Sequence, residues 1–170
     1  TEQWHGIEPD QLPAAIALVK RDTMQQDLDI LVDSLSYGTT VVGGPTAGGK
    51  SAFALELARK HDGVIINADS MQIYDGLATL TAQPSDADKQ SIPHVMYGVL
   101  HPDEHCSAGK WREMAGIEIE NILNKNKTPI IVGGTGLYIK SLLEGLSKMP
   151  VTPMEIRDVA NALYEKLGNP

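Results

Sequence analysis

Eight consecutive residues, Gly44-Pro45-Thr46-Ala47-Gly48-Gly49-Lys50-Ser51, follow the pattern G-x-x-x-x-G-K-[ST] in full. Each residue type has a physical task. The glycines let the backbone curl so that its N–H groups point inward around phosphate oxygens. A helix that starts at Lys50 presents its N-terminus to the same anion. Lys50 adds a mobile positive charge, and the Ser51 hydroxyl can coordinate a Mg²⁺ ion that bridges phosphates. The chemistry predicted here is binding of a di- or triphosphate.

A second candidate is Asp69, which follows Val64-Ile65-Ile66-Asn67-Ala68. In an open parallel sheet, ligands sit outside the carboxyl ends of the strands. Asp69 at such an end shares a crevice with the phosphate loop. There it could take a proton from an attacking nucleophile, although an acid in this place could equally cap a helix or hold a metal-bound water. Pro129-Ile130-Ile131-Val132 ends in Gly133-Gly134 and offers no second strand-terminal acid.

The elements that must position these groups alternate between two kinds. Thr39–Gly43 and Pro129–Val132 are short apolar runs, read as buried parallel strands. Val64–Ala68 is a third, and Pro93–Leu100 is read as a fourth. Lys50–His61 is a helix that buries Phe53, Ala54, Leu57 and Ala58. Ser107–Lys125 is another, with Trp111, Ala115, Ile119 and Ile122 on one face, a spacing that suits core packing. Gly136–Glu144 begins a further helix, which Thr135 could cap. Thr152 is expected to cap a last one that runs to about Leu167. Thr79–Pro93, polar and with two prolines, reads as a long loop over the site. The expected fold class is α/β: a P-loop NTPase-like parallel sheet with helices on both faces.

Ahead of this lies an extension, residues 1–38, read as helical. One helix is expected over about Asp10–Arg21. A second starts near Asp22 or Thr23, with Met24, Leu28, Leu31 and Leu35 as its apolar stripe. The extension holds seven acidic side chains against two basic ones, and so most of the chain's net charge of −8. That balance does not recommend a large nucleic-acid surface. No apolar run approaches the length of a membrane span, and Thr1–Asp10 lacks the apolar stretch of a secretory signal. The single Cys106 excludes an internal disulfide and fits a reducing cytoplasm. His101, His105 and Cys106 lie close together, but without a fourth ligand they read as solvated loop residues.

Several ordered segments together resemble the tRNA dimethylallyltransferases. The Gly-Pro-Thr-Ala opening of the loop, Asn67-Ala68-Asp69-Ser70-Met71-Gln72-Ile73-Tyr74, and Thr79-Leu80-Thr81-Ala82-Gln83-Pro84 are similar to that family's motifs. So are Pro93-His94, His101-Pro102-Asp103-Glu104, Ser107-Ala108 and Pro129-Ile130-Ile131-Val132-Gly133-Gly134-Thr135-Gly136-Leu137-Tyr138. The likeness runs from about Val41 to the C-terminus. It implies a 39–150 P-loop core followed by the start of a helical insertion domain at 151–170, in a family nearly twice this long.

The resemblance implies transfer of a dimethylallyl group from dimethylallyl diphosphate to the exocyclic amine of the adenosine 3′ of the anticodon. The partners would be the tRNA anticodon loop and the prenyl diphosphate, and the expected state is a cytoplasmic monomer. The P-loop would hold the diphosphate, with Mg²⁺ on Ser51. Thr46 would hydrogen-bond the donor oxygen, Lys50 would offset leaving-group charge, and Asp69 would accept the amine proton. Asp69, Ser70, Met71, Gln72, Thr135 and Arg157 would touch the RNA. Gly48, Met71 and Cys106 depart from the family pattern, in which Ser or Val, Arg, and an aromatic residue are common at those places. Two other readings use the same residues: a small-molecule P-loop kinase that binds ATP, and an inactive truncated chain that retains a diphosphate site.

Overall fold

The structure, a computed structural model, describes residues 14–18, 38–44, 48–146 and 154–168. Aliphatic and β-branched runs supply five parallel strands among the described residues. They are β1 (Ala14–Leu18), β2 (Thr39–Gly43), β3 (Gly63–Asn67), β4 (His94–Val95) and β5 (Thr128–Gly133). Their order in the sheet is β1-β2-β5-β3-β4. The helices are α1 (Lys50–Lys60), α2 (Asp86–Ser91), α3 (Ala108–Leu123), α4 (Gly136–Glu144) and α5 (Met154–Leu167).

Register explains why the strands read as continuous apolar runs. Ile130 on the central β5 pairs with Thr40 and Ile65, and the next residue, Ile131, pairs with Val41 and Ile66. Successive side chains point to opposite faces. Val42, Ile65, Ile130 and Val132 therefore pack on Phe53, Ala54, Leu57 and Ala58 of α1. Val41, Ile66 and Ile131 pack on Trp111, Ala115 and Ile119 of α3 and on Tyr138 and Leu142 of α4. Both faces are covered, so no strand needs a polar side. Each large side chain buried here contributes roughly 1.5–3 kcal/mol. The α/β class and the doubly covered sheet agree with the sequence, as do the buried faces of α1 and α3.

Three segments differ from expectation. Ala14–Leu18, expected within a helix, is a strand that pairs in parallel with β2, from Ala14 opposite Thr39 to Leu18 opposite Gly43. A five-residue apolar run has no period that separates strand from helix, and the open edge of β2 decides the matter. The strand expected over Pro93–Leu100 is only His94–Val95. Met96 and Gly98 adopt positive φ of 65° and 61°, and the chain turns so that Val99 and Leu100 donate to Ile73 instead. The expected loop Thr79–Pro93 contains α2. Its first turn is a capping box: Ser85 Oγ accepts from the Asp88 amide, and the Asp88 carboxylate accepts from the Ser85 amide. The expected helix over Met24–Leu35 and the Thr152 cap lie outside the described residues. α5 carries no buried residue, and its apolar Ile156, Val159, Leu163 and Leu167 are all exposed.

Candidate active site

The site forms where β2, β5 and β3 end side by side. β2 stops at Gly43, and Gly44 turns the chain at φ 152°. Gly49 stands before α1 with φ 86°, a left-handed conformation that favours glycine. Gly49 brings no side-chain cap to α1, and a helix N-terminus is the end that favours an anion. The amide of Phe53 donates to Gly49 O at 3.1 Å and starts the helical ladder. Gly48, Gly49, Lys50 and Ser51 line a cleft of about 430 Å³, and Asp69 and Gln72 line it with them. Pro45, Thr46 and Ala47 lie outside the described residues, so the expected Thr46 contact does too.

Asp69 is held by its own neighbourhood. The fully buried Asn67 accepts from the Asp69 amide through Oδ1 at 2.9 Å. Asn67 Nδ2 donates to Asp69 O at 2.9 Å and to Met96 O at 3.1 Å. Trp111 Nε1 donates to Asn67 O at 2.9 Å, and its ring stacks on Tyr138 with centroids 4.8 Å apart. Trp111 is thus a core residue, as its spacing predicted. The Asp69 carboxylate accepts from the Met71 amide at 2.9 Å.

The other expected contact residues are distributed unevenly. Ser70 donates its amide to Thr135 Oγ1 at 2.9 Å. Thr135 stands at the N-cap position of α4, yet its side chain makes no cap bond, so tying the two loops is what its hydroxyl does. Gln72 Nε2 donates to Thr81 O and Ala82 O, which ties the 77–83 segment to the cleft. The Met71 side chain is half exposed. Arg157 is exposed on α5 and does not line the cleft. Among the described residues, no three His, Cys, Asp or Glu side chains gather as a metal site. No described helix is long and apolar enough to cross a membrane.

Two features were not visible in sequence. Tyr97 lines the cleft, although it lies in a run that reads as a strand. Burial, and then the charge of Asp69, push its phenol pKa well up, so Tyr97 stays a neutral hydroxyl in the cleft. Behind it lies a smaller pocket of about 250 Å³ that shares Ser51 and Tyr97 with the cleft and reaches Leu55, Asp88 and His94. His94 Nδ1 lies 2.7 Å from Ile92 O, and a carbonyl only accepts, so Nδ1 carries the proton of the neutral ring. The second feature is Gly133. A Cβ there would land on the backbone carbonyl of Ala68, so only glycine lets β5 end this close to β3.

Residues 72–170 match the family model for IPP transferase, and residues 38–101 match one for isopentenyl transferase. The chain is 50% identical over 130 residues to a tRNA dimethylallyltransferase of Rhodospirillum centenum, covering 76% of this chain and 41% of that protein. It is 52% identical over 117 residues to that of Rhizobium rhizogenes, covering 69% and 39%. The crystal structure of a tRNA delta(2)-isopentenylpyrophosphate transferase from Staphylococcus epidermidis superimposes with a TM-score of 0.60 at 38% identity, covering 77% of this chain and 42% of that one. A full-length tRNA isopentenylpyrophosphate transferase from Bacillus halodurans gives 0.64 at 28% identity, covering 77% and 44%. The chain thus spans about two fifths of the length of the curated relatives it matches.

Proposed function

The chain belongs to the IPP transferase family, and from that premise we propose that it is the diphosphate-binding part of a tRNA dimethylallyltransferase. The reaction would move a dimethylallyl group from its diphosphate to the exocyclic amine of the adenosine 3′ of the anticodon. One observation carries this reading: the phosphate-loop residues Gly48–Ser51 and Asp69 line the same cleft of about 430 Å³.

Such a transfer breaks the allylic C–O bond and forms a C–N bond. The diphosphate departs with the electron pair, and the amine loses a proton. Lys50 and the N-terminus of α1 offset the charge that grows on the leaving group. The Asp69 carboxylate receives the proton. Thr46, by the family resemblance, hydrogen-bonds the donor oxygen. Tyr97 closes one side of the cleft and helps keep water from the electrophilic carbon. The adenosine must leave its stack to reach the cleft, and an anticodon loop makes that extrusion easier than a helical stem would. We assign RNA contact to Ser70, Met71, Gln72, Thr135 and Arg157, and take α5 as the beginning of a helical insertion. We expect a monomer acting in the cytoplasm.

The residues present suit Mg²⁺. Ser51 is an exposed hydroxyl on the cleft, the group that a phosphate loop offers to Mg²⁺, while phosphate oxygens and water would fill most other positions of the ion. When bound, the ion would neutralise charge on the leaving diphosphate. The test of the whole reading is calorimetric titration with dimethylallyl diphosphate and with ATP, each with Mg²⁺. Preference for the prenyl diphosphate is expected. Preference for ATP would replace this reading with that of a small-molecule kinase.

A further inference from the structure

We infer that Asn67 is a positioning residue for transfer, setting at once the places of Asp69 and of the Tyr97 wall. The inference rests on the proposed function of the cleft. Asn67 is the last residue of β3 and is fully buried. A buried amide is costly unless its hydrogen bonds are met. Here the partners lie on two separate loops. Oδ1 takes the Asp69 amide, which closes a tight Asx-type turn directly beneath the carboxylate. Nδ2 is shared between Asp69 O and Met96 O. Met96 holds positive φ and directly precedes Tyr97, so the Nδ2 bond anchors the turn that carries the ring. Trp111 Nε1 donates to Asn67 O and so fastens the backbone of the same residue. Among the described residues, no bond of Asn67 reaches the phosphate loop.

The network therefore separates proton transfer from diphosphate binding. Asn67→Asp keeps the shape and the acceptor for the Asp69 amide, but it sets a carboxylate oxygen against two carbonyls. Asn67→Ala removes the clamp. In the full-length protein, both variants are expected to lower kcat on the order of 10–100-fold through misplacement of the reacting groups. Affinity for Mg²⁺–pyrophosphate should stay within about twofold. A kcat near that of the wild type, or a parallel loss of pyrophosphate affinity, would overturn the inference, the second because it signals collapse of the whole cleft. Amide hydrogen exchange supplies an arm that needs no turnover. Asp69 should lose protection in Asn67→Ala while the Phe53 amide in α1 keeps it, and unchanged Asp69 protection would refute the clamp. If the wild type binds pyrophosphate yet transfers nothing, the transferase reading fails, and the exchange arm still decides the role of Asn67. Trp111→Phe, which removes the Nε1 donor along with part of the buried indole volume, is expected to show the same kcat–affinity split in milder form, and its absence there would count against the network should the Asn67 variants not fold.

Discussion

The Ser70 amide donates to the Thr135 hydroxyl at 2.9 Å, joining residues 65 positions apart in the chain. The Thr135 amide in turn donates to Ala68 O at 3.2 Å. These two bonds lock the loop after β3 to the loop after β5, and so they hold the segment that carries Asp69. Replacing Thr135 by Val keeps its shape and leaves the part-buried Ser70 amide without an acceptor. Transfer is expected to fall roughly tenfold. Thr135→Ser should restore most of it. Steady-state kinetics of the three proteins check this, and equal rates for Thr and Val would deny the tie a role.

Asp69→Asn removes the proposed proton acceptor without changing the shape of the side chain. The bond from the Met71 amide survives, because the Asn side chain still offers an oxygen. Prenyl transfer should drop on the order of 10²–10⁴-fold. Binding of an anticodon stem-loop, followed by fluorescence anisotropy, should change little. Transfer at the wild-type rate would remove Asp69 from the mechanism.

Gly133→Ala addresses the close approach of β5 to β3. The added methyl would press on the Ala68 carbonyl, and backbone cannot swing aside as the end of a flexible side chain can. A loss of about 2–3 kcal/mol in unfolding free energy is expected. Denaturant titration measures it, and a stability equal to that of the wild type would mean that the two strand ends separate easily.

The pH dependence of stability follows from His94. Burial, the largest cause, and the nearby Lys89 lower its pKa below the usual value, against the opposing Ile92 carbonyl and Asp88. The unfolded chain then binds more protons than the folded one below about pH 6.5. Stability should be fully present above that pH and decline as the pH falls through the folded pKa. His94→Gln should flatten the decline only partly, because His61 is lowered as well, chiefly by burial. Asp88 and Glu104 are lowered by hydrogen bonds from Ser85 and from the His101 amide, and their contributions are lost only at lower pH, in the carboxylate range. Melting temperatures at pH 7.5, 6.5 and 5.5 test the slope. An unchanged slope in His94→Gln would exclude His94 as its source.

Much of this architecture was legible before any coordinates. β2, β3, β5, α1 and α3 are strongly patterned, and the phosphate loop and Asp69 announce themselves by residue type and place. What stayed hidden is non-local. β1 could not be read because Ala14–Leu18 has no period of its own, and its pairing is decided by Thr39–Gly43. β4 looked longer than it is because nothing in a run of apolar letters reveals positive φ at Met96. For α2 a signal existed, Ser85 and Asp88 at capping-box spacing, masked by the flanking Pro84 and Pro93. In the site, Tyr97 enters the cleft only because the chain turns there, and the requirement for Gly133 rests on the distance between two strand ends.

The order of the sheet also sets a length. β5 lies between the strand that feeds the phosphate loop and the strand that leads to Asp69. Two inter-strand steps, about 10 Å, therefore separate their ends. The hydrogen-bonded ladder works as a gauge block: the reach between the two strand ends is set by the backbone repeat, and the Asn67 and Thr135 side chains then hold the loop that carries Asp69. Substitutions along β5 that keep the ladder leave this reach unaltered. The reach is thus expected to survive volume-conserving apolar substitutions at Ile130 and Ile131 and to fail at Gly133.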